Sequence, residues 1–254
     1  MVDYFTSEEQ WDTKIYIMTM IPRGGSAFLT QMEDLDLIKA TGFRDICMTP
    51  IFHCVPEYLW HYDPDPCKIV DHRELNSDLG TMEEFLRLVD EAHQRGMKVI
   101  LQVVMASLVK SSVLFNEHPE YFTYQEKKRE PFHLEDLLKL YDVTYEEFVE
   151  ETALTEEDFN GDYGDPDWDK NVPLNYGDGN SGLWDYQEET LRMWAKYVDG
   201  FSCIAAPKVP MKFWKRVQKT ISREKPDFLW ILMDIERRET LWDYMEEWDY
   251  TQEW

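Results

Sequence analysis

Short apolar runs alternate with amphipathic segments along the first hundred residues, and this alternation constrains the fold most strongly. Lys14–Met20, Phe43–Pro50 and Met97–Met105 have the length and composition of buried strands. Helical spacing of apolar residues fills the two intervals between them. A strand–helix–strand repeat of this kind predicts a parallel sheet with crossover helices.

Two helix starts are marked by local signals. Ser26 follows a glycine pair and is suited to cap a helix that runs to Gly42. Thr81 and Glu84 form a capping box ahead of a helix that ends at Gly96.

The alternation stops in the middle of the chain and then resumes. No strand–helix repeat is evident in 107–182, which we interpret as a subdomain inserted after the third strand. The sequence therefore predicts barrel units in 1–106, the insertion in 107–182, and further barrel units with a tail in 183–254. A fourth strand with its following helix lies in Tyr197–Trp214, and a fifth strand in Phe228–Met233.

Five strand–helix units leave two architectures open. They can form an open sheet, or they can be the first five-eighths of a barrel that closes only with eight strands.

Composition limits the partners of the chain. The 254 residues carry a formal charge of −25, which disfavours nucleic acid and anionic membranes as partners because both are polyanions. No apolar run is long enough for a membrane span, and the first residues lack the apolar core of a signal peptide. The 4 cysteines form no C-x-x-C pair, so we expect free thiols in a reducing, cytoplasmic setting.

Several stretches, taken in order, resemble the α-amylase family, glycoside hydrolase family 13. They are MTPIF (48–52), DLGTMEEFLRLVDEAHQRGMKVIL (78–101), SSVLFNEHPEYF (111–122), LWDYQEETLRMWA (183–195), DGFSCIAAPKVPMKFW (199–214) and PDFLWILM (226–233). The resemblance implies a (β/α)8 TIM-barrel fold, here partial, with an inserted subdomain after strand 3.

The positions that carry the family's chemistry differ in this chain. The resemblance implies that Ser202 occupies the position of a family Arg. It likewise implies that Ile204 occupies the position of the nucleophilic Asp, and Met233 that of the general acid Glu. It implies a sugar-stacking Tyr at Cys67, and an Asp-x-x-x-Asn-His pattern where Gln102, Ala106 and Ser107 stand. A retaining glycosidase needs two closely spaced carboxylates, which Ile and Met cannot supply.

These replacements favour a non-catalytic or redesigned member of the family over an active one. In this hypothesis the pocket binds a glycan or another small molecule. A second hypothesis is an active glycosidase or transferase with relocated carboxylates, the candidates being Asp63, Asp65, Asp71, Asp234 and Glu236. A third is a barrel fragment completed by self-association through an open sheet edge.

The predicted pocket has ten members: His53, Trp60, Tyr62, Cys67, Gln102, Ala106, Ser107, Ser202, Ile204 and Met233. We predict no cofactor and no metal. His53, Cys54, His61, Cys67 and His72 are zinc-type ligands without a zinc-finger spacing. The oxygen ligands of 165–171 lack the remaining features of a calcium loop.

Overall fold

The computed structural model describes residues 14–21, 25–55, 66–124, 134–141, 144–152, 170–177 and 180–233. In chain order the strands are β1 (Ile15–Met18), β2 (Asp45–Met48), β3 (Phe52–Cys54), β4 (Ile69–Leu75), β5 (Val99–Val103), β6 (Ser107–Val109), β7 (Asn171–Pro173), β8 (Gly200–Cys203) and β9 (Leu229–Leu232). The α-helices are α1 (Ala27–Glu33), α2 (Leu35–Ala40), α3 (Met82–Gln94), α4 (Val113–Glu117), α5 (Leu134–Tyr141), α6 (Tyr145–Thr152), α7 (Ser181–Ala195) and α8 (Met211–Ile221).

Five strands form one parallel sheet in the order β1-β2-β5-β8-β9. All four neighbouring pairs are parallel. Residues of β2, β5 and β8 are buried throughout, because a parallel sheet is covered on both faces. The prediction of a parallel sheet is therefore confirmed, with strands one to three residues shorter at each end than the apolar runs.

Helix caps account for the helix boundaries that the sequence predicts. The Ser26 side chain accepts a hydrogen bond from the Leu29 N–H and starts α1. Thr81 and Glu84 exchange the two reciprocal bonds of a capping box at α3. Beyond α3, Gly96 has a φ of +69°, a left-handed conformation that favours glycine.

One predicted helix is divided. The segment from Ser26 to Gly42 forms α1 and α2, because the Asp34 N–H bonds back three residues to the Gln31 carbonyl and tightens the turn. Helical spacing of apolar residues continues across the break, so the sequence pattern did not reveal it.

Aromatic side chains fill the core of the main sheet and its helices. Phe201 on β8 packs edge-to-face against Trp230 on β9, and Trp230 contacts Trp214 on α8. Trp194 on α7 packs against Phe85 on α3. Trp194 and Trp214 are fully buried. Trp184 is half-buried and donates from Nε1 to the Tyr176 carbonyl.

The chain divides into two compact units. The first contains 1–53, 72–106 and 176–254, and with them the parallel sheet. The second contains 54–71 and 107–175. Residues 54–71, which follow the second predicted strand, thus join most of the predicted insertion of 107–182. Strands β3 and β4 pair with each other, and the division between the units runs through both.

The second unit has its own small sheet and helices. Strands β6 and β7 are antiparallel, and Ser107 lies opposite Pro173. Phe115 on α4 packs against Phe122. None of the helices that the structure describes is long and apolar enough to cross a bilayer.

Candidate functional site

The carboxyl end of the parallel sheet carries no ionisable side chain among the described residues that directly follow its five strands. These residues are 19–21, 49–51, 104–106, 204–206 and Met233. The amino end is different, because Lys14, Lys98 and Asp199 stand directly before β1, β5 and β8. In α/β barrels the carboxyl end is where catalytic side chains are placed. The residues that the structure describes at this end are neutral.

Ile204 occupies the first position after β8. Its N–H donates to the Val103 carbonyl at 2.9 Å, which continues the ladder between β5 and β8. Its side chain is buried, with 7% of the residue exposed. An aliphatic side chain in this position can pack but cannot transfer a proton or attack a sugar carbon.

A tight turn follows Ile204. Ala205 has a φ of +52°, which lies in the left-handed region. The Ala206 N–H donates to the Met233 carbonyl at 3.0 Å, and the Met233 N–H donates to the Cys203 carbonyl at 2.9 Å. The backbone after β8 is therefore joined to the backbone after β9, and this brings the position of Ile204 close to that of Met233.

Two polar side chains of the site lie within the strands, just before their carboxyl ends. Ser202 on β8 and Gln102 on β5 are paired in register, and both are buried. The Ser202 hydroxyl donates to the Met233 thioether sulfur, with an Oγ–Sδ distance of 2.8 Å. The pair is uncharged, so it can offer hydrogen bonds to a ligand but no ionic contact.

Cys47 on β2 is a member of the site that sequence reasoning missed. Its thiol interacts with the side chains of Ser202 and Gln102, and burial raises its pKa to about 12 despite these hydrogen bonds. Cys47 also packs in an apolar cluster with Ile100 and Ile231. The neutral thiol is therefore a packing and hydrogen-bonding group and not a nucleophile. The alternation of side chains along β2 could have indicated the face of the sheet on which Cys47 lies. Its contacts with Ser202 and Gln102 could not be predicted, because they depend on the register in which the strands pair.

The remaining predicted pocket residues are distributed over both units. Ala106 is buried at the end of the β5 segment in the first unit. His53 on β3 is partly exposed, and its Nδ1 lies 3.5 Å from Glu74 Oε2. Ser107 and Cys67 belong to the second unit. Trp60 and Tyr62 lie outside the described residues.

The predicted zinc-type residues engage other groups where they are described. His72 on β4 is fully buried, and its Nε2 lies 2.7 Å from the Val104 carbonyl oxygen. Burial lowers the His72 pKa to about 4, so the ring is neutral. In the part of the chain that the structure describes, no three His, Cys, Asp or Glu side chains are grouped to hold a metal. His61 and most of 165–171 lie outside that part.

The strand order and the position of the insertion define an α/β protein of the TIM-barrel type. The chain belongs to the alpha-amylase family, because the model of the alpha-amylase catalytic domain matches residues 31–247. The family predicted from the sequence is thereby confirmed.

Individual relatives are similar to this chain over most of its length. Alpha-amylase MalA of Haloarcula japonica is 26% identical over 217 residues, which cover 85% of this chain and 28% of the relative. The maltogenic alpha-amylase of Bacillus acidopullulyticus is 26% identical over 83% of this chain and 32% of the relative. The crystal structure of an alpha-amylase from Lactobacillus plantarum matches with a TM-score of 0.65 and 25% identity, over 92% of this chain and 51% of that structure.

The chain spans only part of these relatives. It covers about a third or less of the two curated proteins and about half of the solved structure. The described sheet holds five parallel strands.

Proposed function

We propose that this chain is a non-catalytic amylase-type barrel unit whose neutral pocket binds a glycan or another uncharged small molecule. One observation carries the proposal: the described residues that directly follow the five parallel strands include no Asp or Glu. Glycoside hydrolysis by retention needs a nucleophilic carboxylate and an acid about 5–5.5 Å apart. The family resemblance assigns these roles to the positions of Ile204 and Met233.

The packing around these positions supports an intact framework with altered chemistry. The backbone bonds from Ile204 to Val103 and from Met233 to Cys203 keep both residues at the strand ends. A buried carboxylate at the position of Ile204 or Met233 would need a cationic partner. The position that the resemblance assigns to the partner Arg holds Ser202, which is uncharged. Ser202, Gln102 and Cys47 offer uncharged hydrogen-bonding groups.

A direct assay tests the absence of activity. The protein is incubated at high concentration with 4-nitrophenyl α-glucoside and with maltoheptaose, and products are followed by absorbance and chromatography. We expect turnover indistinguishable from the uncatalysed rate. Turnover that survives repurification would contradict the proposal, because contaminating amylase is removed by that step.

Relocated carboxylates are the competing explanation of the site. Asp234 and Glu236 follow Met233 in the sequence and lie, like Asp63 and Asp65, outside the described residues; Asp71 belongs to the second unit. If turnover is found and Asp234→Asn or Glu236→Gln abolishes it, the chain is an active enzyme. If turnover is found and neither change affects it, Asp63, Asp65 and Asp71 are the remaining candidates for the catalytic carboxylates.

Ligand binding is tested separately from catalysis. Isothermal titration with maltotetraose measures binding to the wild type and to Gln102→Leu, which removes the amide group of the site while keeping a similar side-chain size. We expect about fivefold weaker binding in the variant, since an uncharged hydrogen bond to a ligand contributes about 1 kcal/mol. Glu33→Gln, a distant surface change, is the matched control and should bind as the wild type does.

Self-association is a second candidate function, and the open sheet favours it. Within the described residues, β1 pairs only with β2, and β9 pairs only with β8. Unpaired edges of a parallel sheet are templates for strands of another chain. Sedimentation velocity tests this idea: a concentration-dependent dimer supports completion by a second copy, and a monomer at all concentrations contradicts it.

A further inference from the structure

The most exposed side chains of helix α8 are all cationic. Its apolar residues Met211, Phe213, Trp214, Val217 and Ile221 are buried against the rest of the first unit. Its exposed residues are Lys212, Lys215, Arg216 and Lys219, which we call the α8 basic face. Each of the other described helices exposes at least one residue that is not a cation.

This basic face contrasts with the charge of the whole chain. Residues 208–225 contain seven Lys and Arg residues and a single acidic residue, Glu224, in a protein with a net charge of −25. With 51 acidic residues in 254, a helix of 11 residues such as α8 would carry about two carboxylates on average, and α8 carries none. Basic residues are therefore enriched in the segment that contains α8.

Helix stability does not account for the arrangement. Cations stabilise the last turn of a helix through the helix dipole, which explains Lys219. Lys212 lies in the first turn, where a positive charge is unfavourable and where α8 has no acidic residue. At the amino end of α8, the positive charge of Lys212 is therefore opposite in sign to the charge that the helix dipole favours there.

The neighbouring helix pairs with Arg216 of the basic face. Arg216 forms ion pairs with Asp185 and Glu188 of α7. Lys212 and Lys219 point to solvent and are seven residues apart, which is about 10 Å along a helix. Two exposed ammonium groups at this spacing match carboxylates placed two helical turns apart.

We propose that the α8 basic face is a docking surface for an acidic segment of a protein partner. The exposed residues are mainly Lys, and among the exposed positions of α8 there is no aromatic or amide side chain for stacking on bases or reading them. There is also no exposed apolar residue on α8 to enter a bilayer. A carboxylate-bearing segment has a lower charge density than a nucleic acid, so the net charge of the chain repels it less. At physiological salt the Debye length of about 8 Å lets the local cations dominate at contact.

The test compares two double charge reversals with the same net charge. Lys212→Glu with Lys219→Glu removes the basic face, and Arg87→Glu with Lys139→Glu reverses two exposed cations on α3 and α5. Fluorescence anisotropy follows binding of labelled poly-L-glutamate at 50 and 300 mM NaCl. A single-stranded oligonucleotide of equal charge is the second probe. Circular dichroism confirms that both variants are folded.

We expect the wild type to bind poly-L-glutamate, and binding to weaken at high salt. The α8 variant should lose about tenfold or more in affinity, and the control variant less than about threefold, since exposed ion pairs contribute modestly and locally. Equal losses in both variants would overturn the proposal, as would absent binding by the wild type. Tighter binding of the oligonucleotide would assign the face to nucleic acid instead. These outcomes do not depend on whether the pocket at the sheet end binds a glycan.

Discussion

Ile204 and its neighbours determine what the carboxyl end of the sheet can do. The side chain is buried, and the polar side chains of the site, Ser202, Gln102 and Cys47, are uncharged. The described residues of the site thus offer packing and neutral hydrogen bonds. This limitation can be tested by placing the missing charge there.

Ile204→Asp should destabilise the protein. A carboxylate at this position would be buried without a cationic partner among the described neighbours, and we expect a loss of about 3 kcal/mol in the free energy of unfolding at pH 7. Urea denaturation measures it. The control Ile204→Val should lose only about 1 kcal/mol. A stable Asp variant would show that a cation or water reaches the position.

His72 makes stability depend on pH. Its folded pKa of about 4 lies below the ordinary value of 6.5, because burial disfavours the charged ring and Arg73 adds to the effect. The unfolded state therefore binds more protons, so stability is complete above pH 6.5 and decreases as the pH falls toward 4. The shift corresponds to about 3 kcal/mol.

The pH effect can be assigned with two variants. Between pH 7 and pH 4, His72→Gln should lose less stability than the wild type. Leu37→Gln, an exposed change that adds no titratable group, should keep the wild-type pH profile. Identical profiles for all three proteins would mean that other groups cause the acid sensitivity.

At the scale of single elements, α7 contains a polar residue in an apolar environment. Gln187 is fully buried, and neither its Oε1 nor its Nε2 has a hydrogen-bond partner among the described residues. Thr190, also buried on this helix, bonds to the Tyr186 carbonyl and receives a bond from Arg73. Gln187 therefore carries a desolvation cost that its neighbour avoids.

Gln187→Met should stabilise the protein by about 1 kcal/mol, because it removes two unsatisfied polar atoms at nearly constant volume. Thermal denaturation measures the change. Gln187→Glu is the matched contrast and should destabilise, since it places a charge in the same position. A destabilised Met variant would indicate that the amide has a partner in solution.

The elements also show what the sequence could predict. Parallel strands are fully buried, so β2, β5 and β8 appear as uninterrupted apolar runs that are easily recognised. Capping residues such as Thr81 act locally and are equally visible. The contact of Cys47 with Ser202 was not predictable in this way, because it depends on the pairing of strands that are distant in the sequence. The break at Asp34 was missed because it leaves the apolar spacing unchanged.

At the scale of the whole molecule, the net charge of −25 opposes compactness. Raising NaCl from 10 to 150 mM shortens the Debye length from about 30 to about 8 Å, which screens the repulsion. We expect the urea midpoint to rise over this range. A combined variant, Glu33→Gln with Asp90→Asn and Glu117→Gln, neutralises three exposed carboxylates and should show a smaller rise. A midpoint that falls with salt would mean that attractive ion pairs outweigh the repulsion.

The turn at Ala205 has a consequence for engineering. A non-glycine residue in the left-handed region costs about 1 kcal/mol relative to glycine, and the bonds of Ala206 and Met233 hold the turn in place. Replacing Ala205 by Gly would relax the backbone of the turn without adding a charge, whereas replacing it by Asn would keep the left-handed conformation and add a polar group. The loop is thus a place where the conformational and electrostatic demands of an amylase-type strand end can be varied one at a time.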